Sequence, residues 1–428
     1  MGSDAWTYST ERPTRLPLEV NQSMKKSVAV LACLLLAAPT LVGTPAQALD
    51  PMSVAKVFTK YVEDKRLANP SVVVIDEQTG EIVFEKNANS LRKPASLQKL
   101  FTGVAAVTHL QMDQTFTTSL WSGSDSKTVV IQGSRDPWTS VYSSTAKKMG
   151  RTSLPRIEYY ALKALKQLHE GSVKNPTIYY SKLFAGDVAA LKTIFRKHGV
   201  TANMMPVSPA EAIEKSSTLV IESTSPTLEE MLNFALVWSD NVLSERIARL
   251  ASNEAGNGLT EAGVEATFNE LLTSFDLDTT KVVVKDASGL SRKNRVTAKQ
   301  VAELLIKIRD EGKYAPVVNG LPIGGISGTL QKRFVKTAPS AVGLVKAKTG
   351  TLNGTANLAG YVESGEHEYA FVIIADKLPR TYSAGERARA MVDRILGKIA
   401  APFIALFNLN DVEGEAESEA ELVSSETP

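Results

Sequence analysis

The chain has 428 residues, with 48 Lys and Arg against 46 Asp and Glu, for a formal net charge of +2. That length suits two domains or one large domain with an insertion, and 43% hydrophobic with 22% charged residues is the composition of an ordinary soluble globular protein. The near-neutral balance gives no reason to expect nucleic acid. The four histidines, His109, His169, His198 and His367, show no metal-ligand spacing, so neither a metal nor an organic cofactor is expected.

The N-terminal part reads as an address. Lys25-Lys26 precede an apolar run from Val28 to Val42, and Ala46-Gln47-Ala48 follows. This is a basic n-region, an apolar h-region and a small-x-small site, so residues 24–48 are read as a signal peptide cleaved after Ala48. The run is broken by Pro39, Gly43 and Pro45 and is too short for a good membrane span. A secreted, extracytoplasmic protein with no stable membrane anchor is expected. Residues 1–23 are polar and unlike an n-region; they are read as a non-native or misassigned extension before Met24. The single cysteine, Cys33, lies within the leader, so the mature chain is expected to have no disulfide.

Ser71 to Ile75 and Glu81 to Glu85 are strand-like runs joined by a Thr79-Gly80 turn. After Pro94, apolar residues at Leu97, Leu100, Phe101, Val104, Ala105 and Leu110 have helical spacing. Ser96 therefore lies at the start of a buried helix, with Lys99 about one turn on along the same face. Residues 117–216 read as an inserted subdomain: a strand at Thr128 to Gln132, a helix at Arg156 to His169, a strand at Thr177 to Tyr180 and a helix at Asp187 to His198. Thr218 to Glu222 returns to strand, and Pro226 opens an amphipathic helix through Trp238. Ser239-Asp240-Asn241 and another helix follow. A helix over Leu259 to Phe275, a strand over Lys281 to Val284, a helix from Thr297 through Ile308 and strands at Leu344 to Ala347, Gly360 to Glu363 and Tyr369 to Ala375 complete the pattern. The terminal helix is expected over Glu386 to Leu406. Residues 49–116 with 217–408 are read as one domain, and 409–428 as an acidic disordered tail.

Three short motifs stand in order: Ser96-Leu97-Gln98-Lys99, Ser239-Asp240-Asn241 and Lys348-Thr349-Gly350. Each alone is weak. Together they resemble the signature of serine acyl-transferases of the penicillin-binding kind. A serine hydroxyl needs a base to become a nucleophile, and a desolvated lysine in the same helix can be that base. In this scheme Ser96 is the nucleophile and Lys99 the base. Ser239 relays a proton towards the leaving amine, Asn241 holds the substrate amide, and Lys348 supplies positive potential. Thr349, with Ser239, binds the terminal carboxylate; Gly350 permits close backbone approach; and the N–H groups of Ser96 and Thr351 hold the oxyanion.

The resemblance is wider than the motifs. Pro94 to Leu100, Trp238 to Glu245, Asp286 to Arg292, Asn294 to Thr297, Gly328-Thr329-Leu330 and Lys346 to Leu352 resemble a D-alanyl-D-alanine carboxypeptidase of the penicillin-binding protein 4 type, among the class C low-molecular-mass penicillin-binding proteins. That resemblance implies an α+β, β-lactamase/transpeptidase-like fold, with a central antiparallel sheet flanked by helices, a helical subdomain and an inserted α/β subdomain. It also implies a serine DD-peptidase acting on peptidoglycan stem peptides, with β-lactam antibiotics as covalent inhibitors. Removal of the terminal D-alanine is the expected activity, and the resemblance permits cleavage of cross-links; a β-lactamase or a catalytically weak wall-binding protein is the alternative. The chain departs from the family in a shorter interval between Lys99 and Ser239, and in Gly133-Ser134-Arg135-Asp136-Pro137, which replaces a glycine-richer stretch.

Two lesser patterns are set aside. Glu265 and Asn269 mimic a β-lactamase deacylation pair but fall inside an amphipathic helix. Trp121, Trp138 and Trp238 are read as packing residues, and the terminal helix as core-packed rather than membrane-bound.

Overall fold

The computed structural model describes residues 49–403 other than 125–127, 169–172, 174 and 281. The expected signal peptide, the extension before it, Cys33 and the acidic tail lie outside the described residues.

Helix α1 (Pro51–Tyr61) begins on Asp50, whose Oδ1 accepts the Ser53 N–H at 2.8 Å, a side-chain cap for an otherwise orphan donor. The hairpin β1 (Ser71–Asp76) and β2 (Ile82–Lys86) follows, then a 3-10 turn at Ala95–Leu97 and α2 (Gln98–His109). The middle of the chain holds β3 (Thr117–Gly123), β4 (Thr128–Gly133), β5 (Thr139–Ser140), α3 (Ser143–Met149), β6 (Thr152–Ser153), α4 (Leu154–Leu168), β7 (Thr177–Ser181), α5 (Ala185–Lys197), β8 (Asn203–Pro206), α6 (Pro209–Glu214) and β9 (Ser216–Thr224). Then come α7 (Leu228–Trp238), α8 (Asn241–Glu254), α9 (Glu261–Ser274), α10 (Ala298–Asp310) and α11 (Ala315–Asn319). Strands β10 (Val345–Leu352), β11 (Thr355–Ser364) and β12 (His367–Ala375) and helix α12 (Tyr382–Gly397) end the described fold.

The main sheet has the order β10-β11-β12-β1-β2, every pair antiparallel. The N-terminal hairpin thus completes a sheet whose other three strands come from the far end of the chain. Its period-two alternation feeds two cores. Val73, Ile75, Ala370, Val372 and Ile374 face α2, α7, α8, α9 and α10. Val72, Val74, Phe371 and Ile373 face α1 and α12. Burying each large apolar side chain contributes about 1.5–3 kcal/mol. Capping boxes fix the starts of α7 (Thr227 with Glu230) and α10 (Thr297 with Gln300).

A second sheet has the order β8-β7-β4-β3-β9, parallel across β4, β7 and β8 and antiparallel at β3. Helices α4 and α5 cover it through Ile157, Ala161, Leu165, Leu191 and Phe195. This sheet extends beyond the boundary expected at residue 216, because β9 pairs with β3 from Thr117↔Thr224 to Gly123↔Ser216.

Two local expectations need correction. Lys281 to Val284 forms no strand among its described residues: Val283 makes only an isolated bridge with Arg295, since no longer partner strand lies beside it. The terminal helix ends at Gly397 rather than Leu406. Its Ala388, Met391, Val392, Ile395 and Leu396 are buried in the second core. No helix among the described residues is long and apolar enough to cross a membrane.

Candidate active site

Ser96 sits in the 3-10 turn that leads into α2. Lys99, three residues on, is wholly buried and places its Nζ 3.2 Å from Ser96 Oγ. The same Nζ donates to Asn241 Oδ1 at 2.7 Å and to the Ser288 carbonyl at 2.5 Å. The first and second motifs therefore meet at one nitrogen.

Ser239 ends α7 in the left-handed conformation, φ 59°. A non-glycine residue there costs about 1 kcal/mol, and the turn lets α8 begin two residues later. Asp240 caps α8, its Oδ1 accepting the Leu243 N–H at 3.0 Å. The aspartate of the second motif thus builds the loop, leaving Ser239 and Asn241 on the cleft.

Lys348, on β10 and also wholly buried, donates to Ser239 Oγ at 2.9 Å and to the Thr349 carbonyl at 3.2 Å. Thr349 Oγ1 donates to Thr329 Oγ1 at 2.9 Å. Ser96, Ser239, Asn241, Thr329, Thr349 and Thr351 all line one cleft of about 1000 Å3. The backbone approach that Gly350 permits is to the chain itself: a Cβ there would stand 2.7 Å from the Pro94 carbonyl oxygen. Asn357 on β11 secures the same contact, its Nδ2 donating to the Lys93 and Pro94 carbonyls at 2.9 Å.

Several supporting residues had no role assigned from sequence. The loop Asp286–Ser291 carries the Ser288 carbonyl that receives Lys99. Its Gly289 adopts φ 83°, and a Cβ there would stand 1.8 Å from the Ala95 carbonyl oxygen. Asp286 folds the loop, accepting the Gly289 N–H at 2.6 Å and the Asn294 side-chain amide at 2.9 Å. Glu245 Oε1 accepts the N–H groups of Ala287 and Ser288 at 2.9 and 2.8 Å. The glycine after Ser288 was the only signal of this tight approach in the sequence.

Burial pushes the Lys99 ammonium down to about 8, against the opposing pull of Asp286, Glu245 and Asp240. Burial, with the charge of Lys99 beside it, holds Lys348 well below the ordinary lysine range. A lysine poised near 8 and touching a serine hydroxyl can take that proton at working pH.

Other candidates fall away from this cleft. Glu265 pairs with Lys285 at 3.3 Å, both partly exposed. Trp138 packs edge-on against Phe234, with centroids 5.2 Å apart, and Trp121 Nε1 donates to Ser119 Oγ at 2.8 Å. Trp238 is a correction: it is 53% exposed, because the buried stripe of α7 ends at Ala235 and Leu236 and the left-handed turn at Ser239 leads the chain out of the core. In the stretch Gly133 to Pro137, Asp136 is buried and its Oδ1 accepts the Trp138 N–H at 2.7 Å.

Known proteins share this arrangement of chain. The carboxypeptidase DacB of Mycolicibacterium smegmatis is 27% identical over 377 residues, covering 77% of this chain and 81% of that one. A D-alanyl-D-alanine carboxypeptidase of Actinomadura sp. (strain R39) is 32% identical over 223 residues, 49% of this chain and 40% of that one. Among solved structures, penicillin binding protein 4 of Haemophilus influenzae, complexed with a novel β-lactam, superposes with a TM-score of 0.59 at 19% identity. The match covers 80% of this chain and 98% of that one, so the two have the same fold. The sequence pattern of the D-Ala-D-Ala carboxypeptidase 3 (S13) peptidases matches residues 54–153 and 163–398, a span that holds all three motifs and the Asp286–Ser291 loop that supports Lys99, and the chain therefore belongs to that family.

Proposed function

We propose that this chain is a serine-type DD-peptidase that removes the terminal D-alanine from peptidoglycan stem peptides through an acyl-enzyme. The observation that carries the reading is the buried Lys99 Nζ, 3.2 Å from Ser96 Oγ on the cleft. Family membership and the carboxypeptidase relatives support the substrate class. The signal-like N-terminal sequence supports an extracytoplasmic, wall-associated location.

Neutral Lys99 takes the Ser96 hydroxyl proton as Oγ bonds to the carbonyl carbon of the penultimate D-alanine. The N–H groups of Ser96 and Thr351 receive the oxyanion. The C–N bond then breaks, and the leaving amine gains, relayed through Ser239, the proton that Lys99 took, which returns Lys99 to its neutral form; Lys348 contacts Ser239 at 2.9 Å. Water attacks the ester, the C–O bond breaks, and Ser96 regains its proton. The net reaction is hydrolysis of one peptide bond, with no cofactor required. Asn241 directs Oδ1 to Lys99 and offers Nδ2 to a substrate amide carbonyl. Thr349, with Ser239, receives the terminal carboxylate. A β-lactam follows the same first step and acylates Ser96; cross-link cleavage differs only in the leaving amine.

The test is labelling by a fluorescent penicillin with a mass spectrum of the adduct. Wild-type protein gains one penicilloyl group on the peptide containing Ser96, and Ser96→Ala gains none. Undiminished labelling of Ser96→Ala would sink the mechanism, and rapid release of hydrolysed penicillin would identify a β-lactamase instead.

A further inference from the structure

The cleft does not stop at Thr349. It continues past Thr329 along Gln331–Thr337 to helix α12, where Glu386, Arg389 and Asp393 border it. Its volume of about 1000 Å3 lies at the upper end of pockets that hold drug-sized ligands and greatly exceeds what one alanine fills.

The charges in this arm are unequal. Arg333 is neutralised by buried Asp393, and Arg389 by Glu386. Lys332 and Lys336 are exposed, line the cleft, and have no ion-pair partner among the described residues. The loop that carries them is held under strain. Phe334, wholly buried, adopts φ 68°, a conformation that costs a bulky residue about 1–3 kcal/mol and persists only when its surroundings enforce it. Asp393 enforces it, accepting the Thr337 hydroxyl at 3.0 Å and the Phe334 N–H at 3.4 Å. Two unpaired cations are thus presented to the cleft on a tethered loop, a placement that surface lysines in general lack.

We propose that Lys332 and Lys336 form an anion-reading subsite on the leaving-group side of the scissile bond. Its ligand is a carboxylate of a peptide leaving group longer than one amino acid. The direction rests on the serine-peptidase reading above: there Thr349 receives the carboxylate beside the scissile amine, and Thr349 touches Thr329 at 2.9 Å, the residue from which the lysine loop departs. A single D-alanine ends at Thr349. A branched leaving peptide continues beyond it, and its remaining carboxylates meet the two lysines.

The experiment compares three synthetic substrates with one acyl half. The leaving groups are D-alanine, a branched peptide with further free carboxylates, and the same peptide with those carboxylates amidated. For Lys332→Ala/Lys336→Ala, kcat/KM for the anionic peptide is expected to fall about tenfold, with the D-alanine and amidated substrates and penicillin acylation within about twofold of wild type. Lys332→Arg/Lys336→Arg is expected to retain the preference, and high salt to erase it. An unchanged rate on the anionic peptide, or an equal loss on all three substrates, overturns the subsite. Absence of both D-alanine release and penicillin acylation in the wild-type protein instead overturns the serine-peptidase reading on which the direction rests.

Discussion

The guanidinium of Arg151 lies 3.2 Å from Asp240 Oδ2, and so joins the segment around the second sheet to the loop that carries Ser239 and Asn241. Arg151 also sits 4.2 Å above the ring of Trp138 and 5.5 Å from that of Phe234. Such cation–π contacts contribute roughly 0.5–2 kcal/mol each. Asp240 is thereby gripped twice, by its own helix start and by a residue about ninety positions upstream in sequence. Arg246 on α8 makes a parallel tie, to Asp187 and to the Thr139 hydroxyl.

Loosening that grip is expected to slow the chemistry more than it harms the fold. Arg151→Ala should reduce the rate of penicillin acylation by about three- to tenfold, the cost of about 1 kcal/mol of lost positioning. Arg151→Lys, which keeps the charge but not the planar group over Trp138, should recover only part of it. Stopped-flow acylation together with a melting curve separates the two effects; an unchanged acylation rate counts against the coupling.

The pH profile follows from the buried base. Lys99 reacts in its neutral form, and its ammonium is held down to about 8. Acylation should therefore rise with pH through a limb near 8 and then level off. Burial sets this shift, while Asp286, Glu245 and Asp240 oppose it. Glu245→Gln keeps an acceptor for the Ala287 and Ser288 N–H groups but removes a charge that favours the ammonium, so the limb should move to lower pH. For stability, the folded state binds fewer protons than the unfolded chain between about 8 and the ordinary 10.5, so Lys99 makes stability rise with pH across that interval. A limb that stays in place in Glu245→Gln argues against Lys99 as the titrating base.

Gly289 is expected to tolerate no side chain. Its φ is 83°, and a methyl carbon on its Cα would stand 1.8 Å from the Ala95 carbonyl oxygen. Gly289→Ala must therefore move either the loop or the backbone that precedes Ser96. A destabilisation of about 2 kcal/mol or more is expected, with loss of penicillin labelling even in the fraction that remains folded. Urea unfolding and labelling of the same preparation check both halves.

Asp376 ties the end of β12 to the nucleophile segment. It accepts from Arg92 Nη1 and from the Lys93 N–H, each at 3.1 Å. Burial alone would raise its pKa, but the Lys93 N–H and the charges of Lys93 and Arg92 outweigh this and hold it below the ordinary 3.8. A depressed carboxylate contributes stability above the unfolded value and loses it as pH falls through the folded one. Asp376→Ala leaves Arg92, which is 2% exposed, buried without its counter-charge, at an expected cost of about 3–5 kcal/mol near neutral pH. That difference from wild type should shrink in unfolding experiments below pH 3.8; a constant difference would point to packing rather than charge.

What could be read from the residues alone was local or repetitive. Ser96 and Lys99 share a helical turn, so their proximity follows from spacing. The β-branched run Ser71 to Ile75, the amphipathic pattern of α7 and the Thr297 cap of α10 come from the same short-range geometry. The Lys281 to Val284 reading failed because a strand needs a partner, and its partner is a matter of topology. Trp238 reads as core by residue type, yet the left-handed turn at Ser239 leaves it exposed. The boundary at 216 left β9, itself expected as a strand, outside the sheet it joins, because its pairing with Thr117–Gly123 is non-local. By itself, then, the sequence determined the chemical groups, their order and the periodicity that builds each helix and strand, since these depend on neighbours a few residues apart. Only the tertiary structure decided that Lys99 would touch Asn241 and Ser288, that Lys348 would reach Ser239, and that Lys332 and Lys336 would border the same cleft. Those distances depend on how remote segments pack around one sheet, and burial in that packing is what lowers the Lys99 ammonium to about 8.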